Sequence, residues 1–306
     1  MNFDVTILGS SSATPIYDRH PSAQVLNIHE RFFLVDCGEG TQMQLNRYRI
    51  RYHRINHIFI SHLHGDHYLG LMGLLSTMHL QGRKDEMHLF GPKELMQLTD
   101  LQLEYSQTVL RYPLTFHEVN TTQKKIIFED EVITVESIPM NHRINCCGFL
   151  FREKEGLRKL IREKLEEHQI PHTFFNELKK GKDFVNEQGK VIPNGEITLP
   201  PNRARSYACC SDTIYDENLV RHISGVDLLY HEATFTNDML ERAKETFHST
   251  ASQAAAIAGK AKVKQLLIGH FSARYKELTP LLDEAVKIFP RTVLALEGEK
   301  FPIPED

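Results

Sequence analysis

The sequence predicts a mixed α/β chain folded as one layered domain over residues 1–306, with two β-sheets packed face to face and helices on the outer faces, an αββα order of layers. Short runs rich in β-branched and aromatic residues alternate with segments of helical period along the chain. They fall into two similar halves without an internal sequence repeat. With 306 residues, 41% of them hydrophobic and 25% charged, the chain has an ordinary globular composition and the length for a large core.

In order, "FDVTILG", "AQVLNI" and "RFFLVDCG" read as strands, "TQMQLNRY" as a helix and "INHIFIS" as a buried strand. A helix over "HYLGLMGLLSTMHL" and a strand over "MHLFG" follow, and Pro92 suits the first turn of a helix over "PKELMQLTDLQLEYSQ". Next come the strands "LTFHEV", "KIIFED", "EVITVESIPM" and "CCGFLF". After a charged insert, "RSYACCSDT", "DLLYHEATF", "QLLIGH" and "TVLALEG" are strands separated by the helices "ASQAAAIAGKA" and "LTPLLDEAVKIF".

Chemistry concentrates in "ISHLHGDHYLGLMGLL". His62 and His64 leave the end of a strand on one side, because side chains alternate along extended chain. Gly65 allows a tight turn, and Asp66 and His67 open the next helix, so four groups that zinc accepts converge on one point. A chance polar loop is a poor alternative, since each unpaired buried polar group would cost about 2–7 kcal/mol. Three more candidates sit at strand ends: His142 in "IPMNHR", Asp212 in "CCSDT" and His270 in "LLIGHF". Singly they are unremarkable, and "SDT" alone reads as a turn or a helix cap. Together, five histidines and two aspartates suffice for two metals with one carboxylate free to bridge.

No apolar run approaches the ~20 residues that span a bilayer, and the N-terminus lacks a signal-peptide pattern, so a cytoplasmic protein without membrane contact is expected. Five cysteines, an odd number without a C-x-x-C, fit a reduced compartment.

The His62-x-His64-x-Asp66-His67 motif with His142, Asp212 and His270 resembles that of the metallo-β-lactamase superfamily. More narrowly, "GSSSATP", "DCGEGTQMQL", "SHLHGDHYLGL", "HEATF", "HSTASQAA" and "GHFSARY", in this order, resemble the short form of ribonuclease Z, the endonuclease that removes 3′ trailers from precursor tRNA. The resemblance implies a metallo-β-lactamase-like αββα sandwich with a protruding arm, two zinc ions per chain and a homodimer. It implies that His62, His64 and His142 hold one ion, that Asp66, His67 and His270 hold the other, and that Asp212 bridges them. By the same resemblance Asp66 accepts the proton of the attacking water, His248 in "FHST" protonates the departing ribose 3′-oxygen, and Glu232 in "HEATF" is the acid behind His248, while His231 is structural. Ligand type alone leaves Mn²⁺ or Fe²⁺ open beside Zn²⁺.

The insert, residues 152–190, carries ten Lys/Arg against eight Asp/Glu, a net +2 that leaves −6 for the rest of a chain of net charge −4. Leu157, Leu160, Ile161 and Leu165 suggest a short amphipathic helix, and "KKGK" a basic turn. Composition alone reads this as a solvated hairpin; the resemblance reads it as a tRNA-gripping arm, with Lys179, Lys180 and Lys182 as candidate RNA contacts beside Arg274. The family's Gly-Pro pair after Pro171 is absent here. An acidic total argues mildly against RNA binding unless local patches exist, for which Arg203, Arg205 and Arg274 are candidates. Against the endonuclease stand two alternatives: a hydrolase of the same superfamily acting on a small phosphodiester, sulfate ester or lactone, and a non-catalytic RNA-binding scaffold. The charged arm speaks against the first and the complete ligand set against the second.

Overall fold

The computed structural model describes residues 1–305. Two seven-stranded sheets form its centre. Strands β1 (Phe3–Gly9), β2 (Ala23–Ile28), β3 (Arg31–Val35), β4 (Ile55–Phe59), β5 (Met87–Gly91) and β6 (Leu114–Glu118) belong to the first. Strands β7 (Ile126–Glu129), β8 (Ile133–Pro139) and β9 (Cys147–Glu153) belong to the second. The insert contributes four two-residue strands, β10 (Lys159–Leu160), β11 (Phe184–Val185), β12 (Val191–Ile192) and β13 (Thr198–Leu199). The second sheet is completed by β14 (Ser206–Cys210), β15 (Leu228–Glu232), β16 (Gln265–Gly269) and β17 (Thr292–Leu294), while β18 (Lys300–Pro302), which sequence reasoning passed over, returns to pair with β1.

In space the order is β18-β1-β2-β3-β4-β5-β6 in one sheet and β17-β16-β15-β14-β9-β8-β7 in the other. Alternation does what period-two patterning requires: Phe3, Val5 and Ile7 of β1 face Phe149, Phe151 and Tyr207 of the opposite sheet in one shared core. Each such ring stabilises the fold by about 1.5–3 kcal/mol on burial. The outer layers are helical, with α1 (Thr41–Arg47), α2 (Gly65–Tyr68), α3 (Leu71–Leu80) and α4 (Lys93–Tyr105) on the first half. In the insert lie α5 (Arg162–Glu167), α6 (Phe175–Lys179) and α7 (Asn194–Ile197), and in the second half α8 (Leu240–Thr246), α9 (Ala251–Ala261) and α10 (Thr279–Ile288).

Strands β3 to β6 run parallel, as do β14 to β17. Their carboxyl ends meet at one pole of the sandwich, the place where open α/β sheets bind ligands. One expected helix is in fact two: α2 and α3 are separated at Leu69–Gly70, because Gly70 packs on the Gly38 backbone, where a Cβ would lie 2.1 Å from the carbonyl oxygen. Its amide also donates to the Cys37 carbonyl at 2.9 Å.

The insert leaves from the far end of β9 and returns at the start of β14, at the pole opposite the carboxyl ends of the parallel strands. It has its own small core of Leu165, Ile170, Leu178, Phe184, Ile192 and Ile197, so its packing continues past residue 190. The expected helix begins later than its apolar spacing suggests. Leu160 pairs with Thr198 in β10–β13, Leu157 is exposed, and only Leu165 of the four apolar residues lies within α5. A cross-strand ladder displaces the local helical period here.

Candidate metal centre

All seven predicted ligands meet at the pole where the parallel strands end. His62, His64, His142 and Asp212 have ligand atoms within 4.8 Å of one another, and Asp66, His67 and His270 form a second such group. Asp212, at the end of β14, lies between them. Its Oδ2 is 3.6 Å from His62 Nε2 and 3.8 Å from His142 Nε2, while its Oδ1 is 3.4 Å from His67 Nε2 and 3.3 Å from His270 Nε2. One carboxylate thus offers one oxygen to each group.

The histidines are held from behind so that one nitrogen faces inward. His67 Nδ1 is 2.7 Å from Asp36 Oδ2, His142 Nδ1 is 2.9 Å from the Phe247 carbonyl, and His270 Nδ1 is 2.9 Å from Thr234 Oγ1. His62 Nδ1 meets Ser61 Oγ at 3.0 Å. His64 differs, turning Nδ1 toward His62 Nε2 at 3.2 Å and His142 Nε2 at 3.1 Å. His270 sits at φ +59° and Asp36 at φ +56°, a left-handed backbone that costs of order 1–3 kcal/mol and aims both side chains inward.

Electrostatics match a cation site. Asp212 is buried, yet its Oδ1 has no hydrogen-bond partner. Burial would raise its carboxyl, but His270 and His67 outweigh this and hold it well below the usual carboxylate range. Burial and neighbouring His67 push His62 down, toward the neutral form that binds metal. An orphaned carboxylate oxygen inside five imidazoles fits a pair of divalent cations.

His248 stands beside these groups. Its Nδ1 is 3.0 Å from Glu232 Oε1, and the same oxygen accepts from the amides of Ser249 at 2.9 Å and Thr213 at 3.2 Å. Glu232 Oε2 accepts from the Thr234 amide and hydroxyl at 3.0 and 2.8 Å, so the buried carboxylate is fully engaged. Burial opposes charge on His248, but Glu232 and then Asp212 outweigh it and lift the imidazole to about 9. A cation on Asp212 would cancel that carboxylate's share and leave Glu232 as the group that charges the histidine. The helix behind is α9, capped by Thr250 in a capping box with Gln253, which fixes the "HST" turn. His231, one residue before Glu232, is buried in β15, with its Nδ1 2.7 Å from the Glu232 carbonyl oxygen.

A cavity of about 320 Å³ opens onto the centre, lined among others by Ala13, Glu39, Asp66, His248 and His270. The Ala13 amide donates to Asp66 Oδ2 at 2.7 Å. Sequence reasoning missed Ala13 and Asp36; "DCGEG" was the available signal for Asp36, without a hint that its partner would be His67. Arg203 and Arg205 lie elsewhere. Arg205 is buried against Glu153 at 2.7 Å and donates to the Ile303 carbonyl, and Arg203 pairs with Asp227, so both serve the opposite pole. Arg274 is exposed, four residues beyond His270. Lys180 and Lys182 are exposed on the insert beside Glu177, which pairs with both, and Lys179 is half-buried.

The chain is 50% identical to ribonuclease Z of Bacteroides thetaiotaomicron over 296 residues, 97% of this chain and 94% of the relative. The chain belongs to the ribonuclease Z family. Ribonuclease Z of Parabacteroides distasonis is 47% identical, covering 99% of both chains. The crystal structure of human tRNase Z, short form, superimposes with a TM-score of 0.72 at 29% identity over 98% of this chain and 99% of that one, so the family and its metallo-β-lactamase fold agree with the sequence expectation. A family model described as anti-Pycsar protein Apyc1 matches residues 3–158. That stretch contains the HxHxDH cluster and His142 and stops before Asp212, Glu232, His248 and His270, which the ribonuclease Z relatives span.

Proposed function

We propose that this protein is a metal-dependent endoribonuclease that removes 3′ trailers from precursor tRNA, leaving a 3′-hydroxyl on the tRNA and a 5′-phosphate on the trailer. The observation that carries the mechanism is Asp212, whose two oxygens face two separate ligand groups. We assign His62, His64, His142 and Asp212 to one cation and Asp66, His67, His270 and Asp212 to a second, with Zn²⁺ the best match to the donors. Bound there, a divalent pair supplies Lewis acidity toward the phosphoryl oxygens and toward water.

The remaining steps belong to the chain. Asp66 Oδ2, oriented by the Ala13 amide, takes the proton of the attacking water. His248, charged and oriented by Glu232, gives its proton to the departing ribose 3′-oxygen, a poor leaving group without it. The insert, at the far pole, serves as a distant grip for the tRNA, with Lys179, Lys180 and Lys182 as its contacts and Arg274 as a contact nearer the site. A cytoplasmic homodimer is the assembly we expect; no helix among the described residues is long and apolar enough to cross a membrane.

The test is incubation with a precursor tRNA bearing a 3′ trailer, with and without chelator, mapping both product ends. Chelator-sensitive cleavage that leaves the stated ends is the expected result. Hydrolysis of a small phosphodiester without cleavage of the precursor would overturn this in favour of a small-substrate hydrolase.

A further inference from the structure

A basic run, "RYRIRYHR" from Arg47 to Arg54, has four arginines in eight residues of a chain whose net charge is −4. Between Glu39 and Asp85 the sequence contains a single carboxylate, Asp66. The mechanism uses none of these arginines.

Their placement is specific. Glu39 lines the catalytic cavity, α1 starts two residues later, and its seven residues span about 10 Å before ending at Arg47. The chain then crosses the outer face of the first sheet, where Arg49, Arg51, Arg54 and Lys300 surround a cavity of about 420 Å³ over Phe32 and Asn27. Two of these cations are already matched: Arg54 with Glu30 at 3.1 Å and Lys300 with Asp4 at 3.0 Å. Arg54 also stacks over Phe32, 4.5 Å from the ring centroid. Arg47, Arg49 and Arg51 are exposed and make no ion pair among the described residues.

Three guanidinium groups without a carboxylate partner, Arg47 at the end of α1 and over the Tyr48 ring at 5.8 Å, Arg49 and Arg51 on the chain that follows, suit a ligand whose charge repeats. A lone phosphate would call for donors converging on one point, often with backbone amides; a polynucleotide backbone presents phosphates in series. Direction follows from the chemistry. The proton donor His248 and Glu39 line the same cavity, and the oxygen that His248 protonates belongs to the tRNA body. The body side of the substrate therefore emerges at that cavity, from which α1 leads to the arginine row.

We infer that Arg47, Arg49 and Arg51 form a second RNA-backbone surface on the sandwich itself, separate from the inserted arm, which grips the double-stranded part of the tRNA next to the cleaved end. This rests on the substrate reading proposed above and names a part of its binding surface.

The test uses the full chain with Arg47, Arg49 and Arg51 replaced by alanine, and a second variant with lysine at all three positions. Three readouts are needed: affinity for mature tRNA at several salt concentrations, kcat and KM on precursor tRNA, and hydrolysis of bis(p-nitrophenyl) phosphate. For the alanine variant we expect tRNA affinity and KM to worsen by on the order of ten- to a hundred-fold, and the slope of log affinity against log salt to flatten by roughly two to three. Its kcat and small-diester hydrolysis should match the parent, and the lysine variant should recover most of the affinity and slope. Equal tRNA affinity and slope in parent and alanine variant, with the parent cleaving precursor tRNA, would overturn this surface alone. A parent that hydrolyses the small diester but neither binds nor cleaves tRNA would overturn the substrate reading itself.

Discussion

Two histidine clusters stand out, one at the pole where both sheets end and one on strands β4 to β6 of the first sheet, and only the first has the surroundings of a cation site. At the metal pole, inward nitrogens are 3.1–3.3 Å apart in the pairs His64–His142, His62–His64 and His67–His270. On β4, β5 and β6, His57 stacks on His88 with ring centroids 5.0 Å apart, and His88 Nδ1 is 3.1 Å from His117 Nε2. The nitrogen spacing is the same; the surroundings are not. Asp212 and Asp66 stand among the first group, and Asp36, Thr234 and Ser61 fix its outer nitrogens. Around the second are aromatic rings: Phe90 stacks on His117 at 4.3 Å and Phe128 lies 4.5 Å from His57. Its nearest carboxylate, Glu86, reaches only the far nitrogen of His88, at 3.8 Å, and is half exposed. Histidine spacing alone does not make a cation site. A buried carboxylate without other partners, and groups that fix the imidazoles, make the difference.

The contrast between the clusters has its strongest consequence at Asp212. Asp212→Ala should abolish precursor cleavage and remove more metal than His64→Ala, since both ion groups share that side chain; about two ions per parent chain is the reference, read by elemental analysis. Full metal content in the alanine variant would deny the bridging role. Next is His248→Ala, expected to keep both ions and tRNA affinity while slowing cleavage by about 10²–10⁴-fold under single-turnover conditions. Unchanged turnover would reassign His248 to holding the turn before α9. Smaller again is Asp36→Asn, which keeps shape but weakens the hold on His67; metal affinity should fall by about 10- to 100-fold. The paired control is His88→Ala, for which neither metal content nor cleavage should change.

The sequence made the two clusters distinguishable only in part. His62, His64, Asp66 and His67 are legible because a strand, a glycine turn and a helix start place them locally, and His142, Asp212 and His270 are legible as strand-end residues. Asp36, Thr234 and the Ala13 amide act through long-range register: Asp36 reaches His67 because β3 and β4 run parallel, and no local period announces that pairing. His57, His88 and His117 look like strand residues in sequence, and their stacking depends on the β4–β5–β6 register. The arm helix failed for a related reason, since apolar spacing at Leu157–Leu165 cannot reveal a cross-strand partner at Thr198.

On β4, β5 and β6 the histidines serve packing, and His57 is the one most affected by it. Burial pushes His57 down to about 4, with His88 adding to the effect, Asp130 opposing it, and His117 and Arg83 adding a little more. These groups face it from β5, from the turn after β7, from β6 and from the segment before β5, and none is a metal ligand. A histidine whose folded pKa lies below its unfolded value binds fewer protons when folded. Its contribution to stability is therefore complete above an unfolded value near 6.5 and is lost as pH falls through about 4. The full shift would correspond to about 3 kcal/mol, and because the ring is only half-buried, about 1–2 kcal/mol is the expected loss over that window. His57→Phe removes the titration and places a ring among Phe33, Phe90 and Phe128, which already contact this position. Urea unfolding at pH 7 and pH 5 should then show the variant losing less stability on acidification than the parent, by up to about 1 kcal/mol because pH 5 reaches only part of that window, with metal content and cleavage at pH 7 unchanged. Equal losses in the two proteins would show that His57 is solvated enough to take up its proton in the folded state, and the aromatic wall would no longer explain why His57 stays neutral.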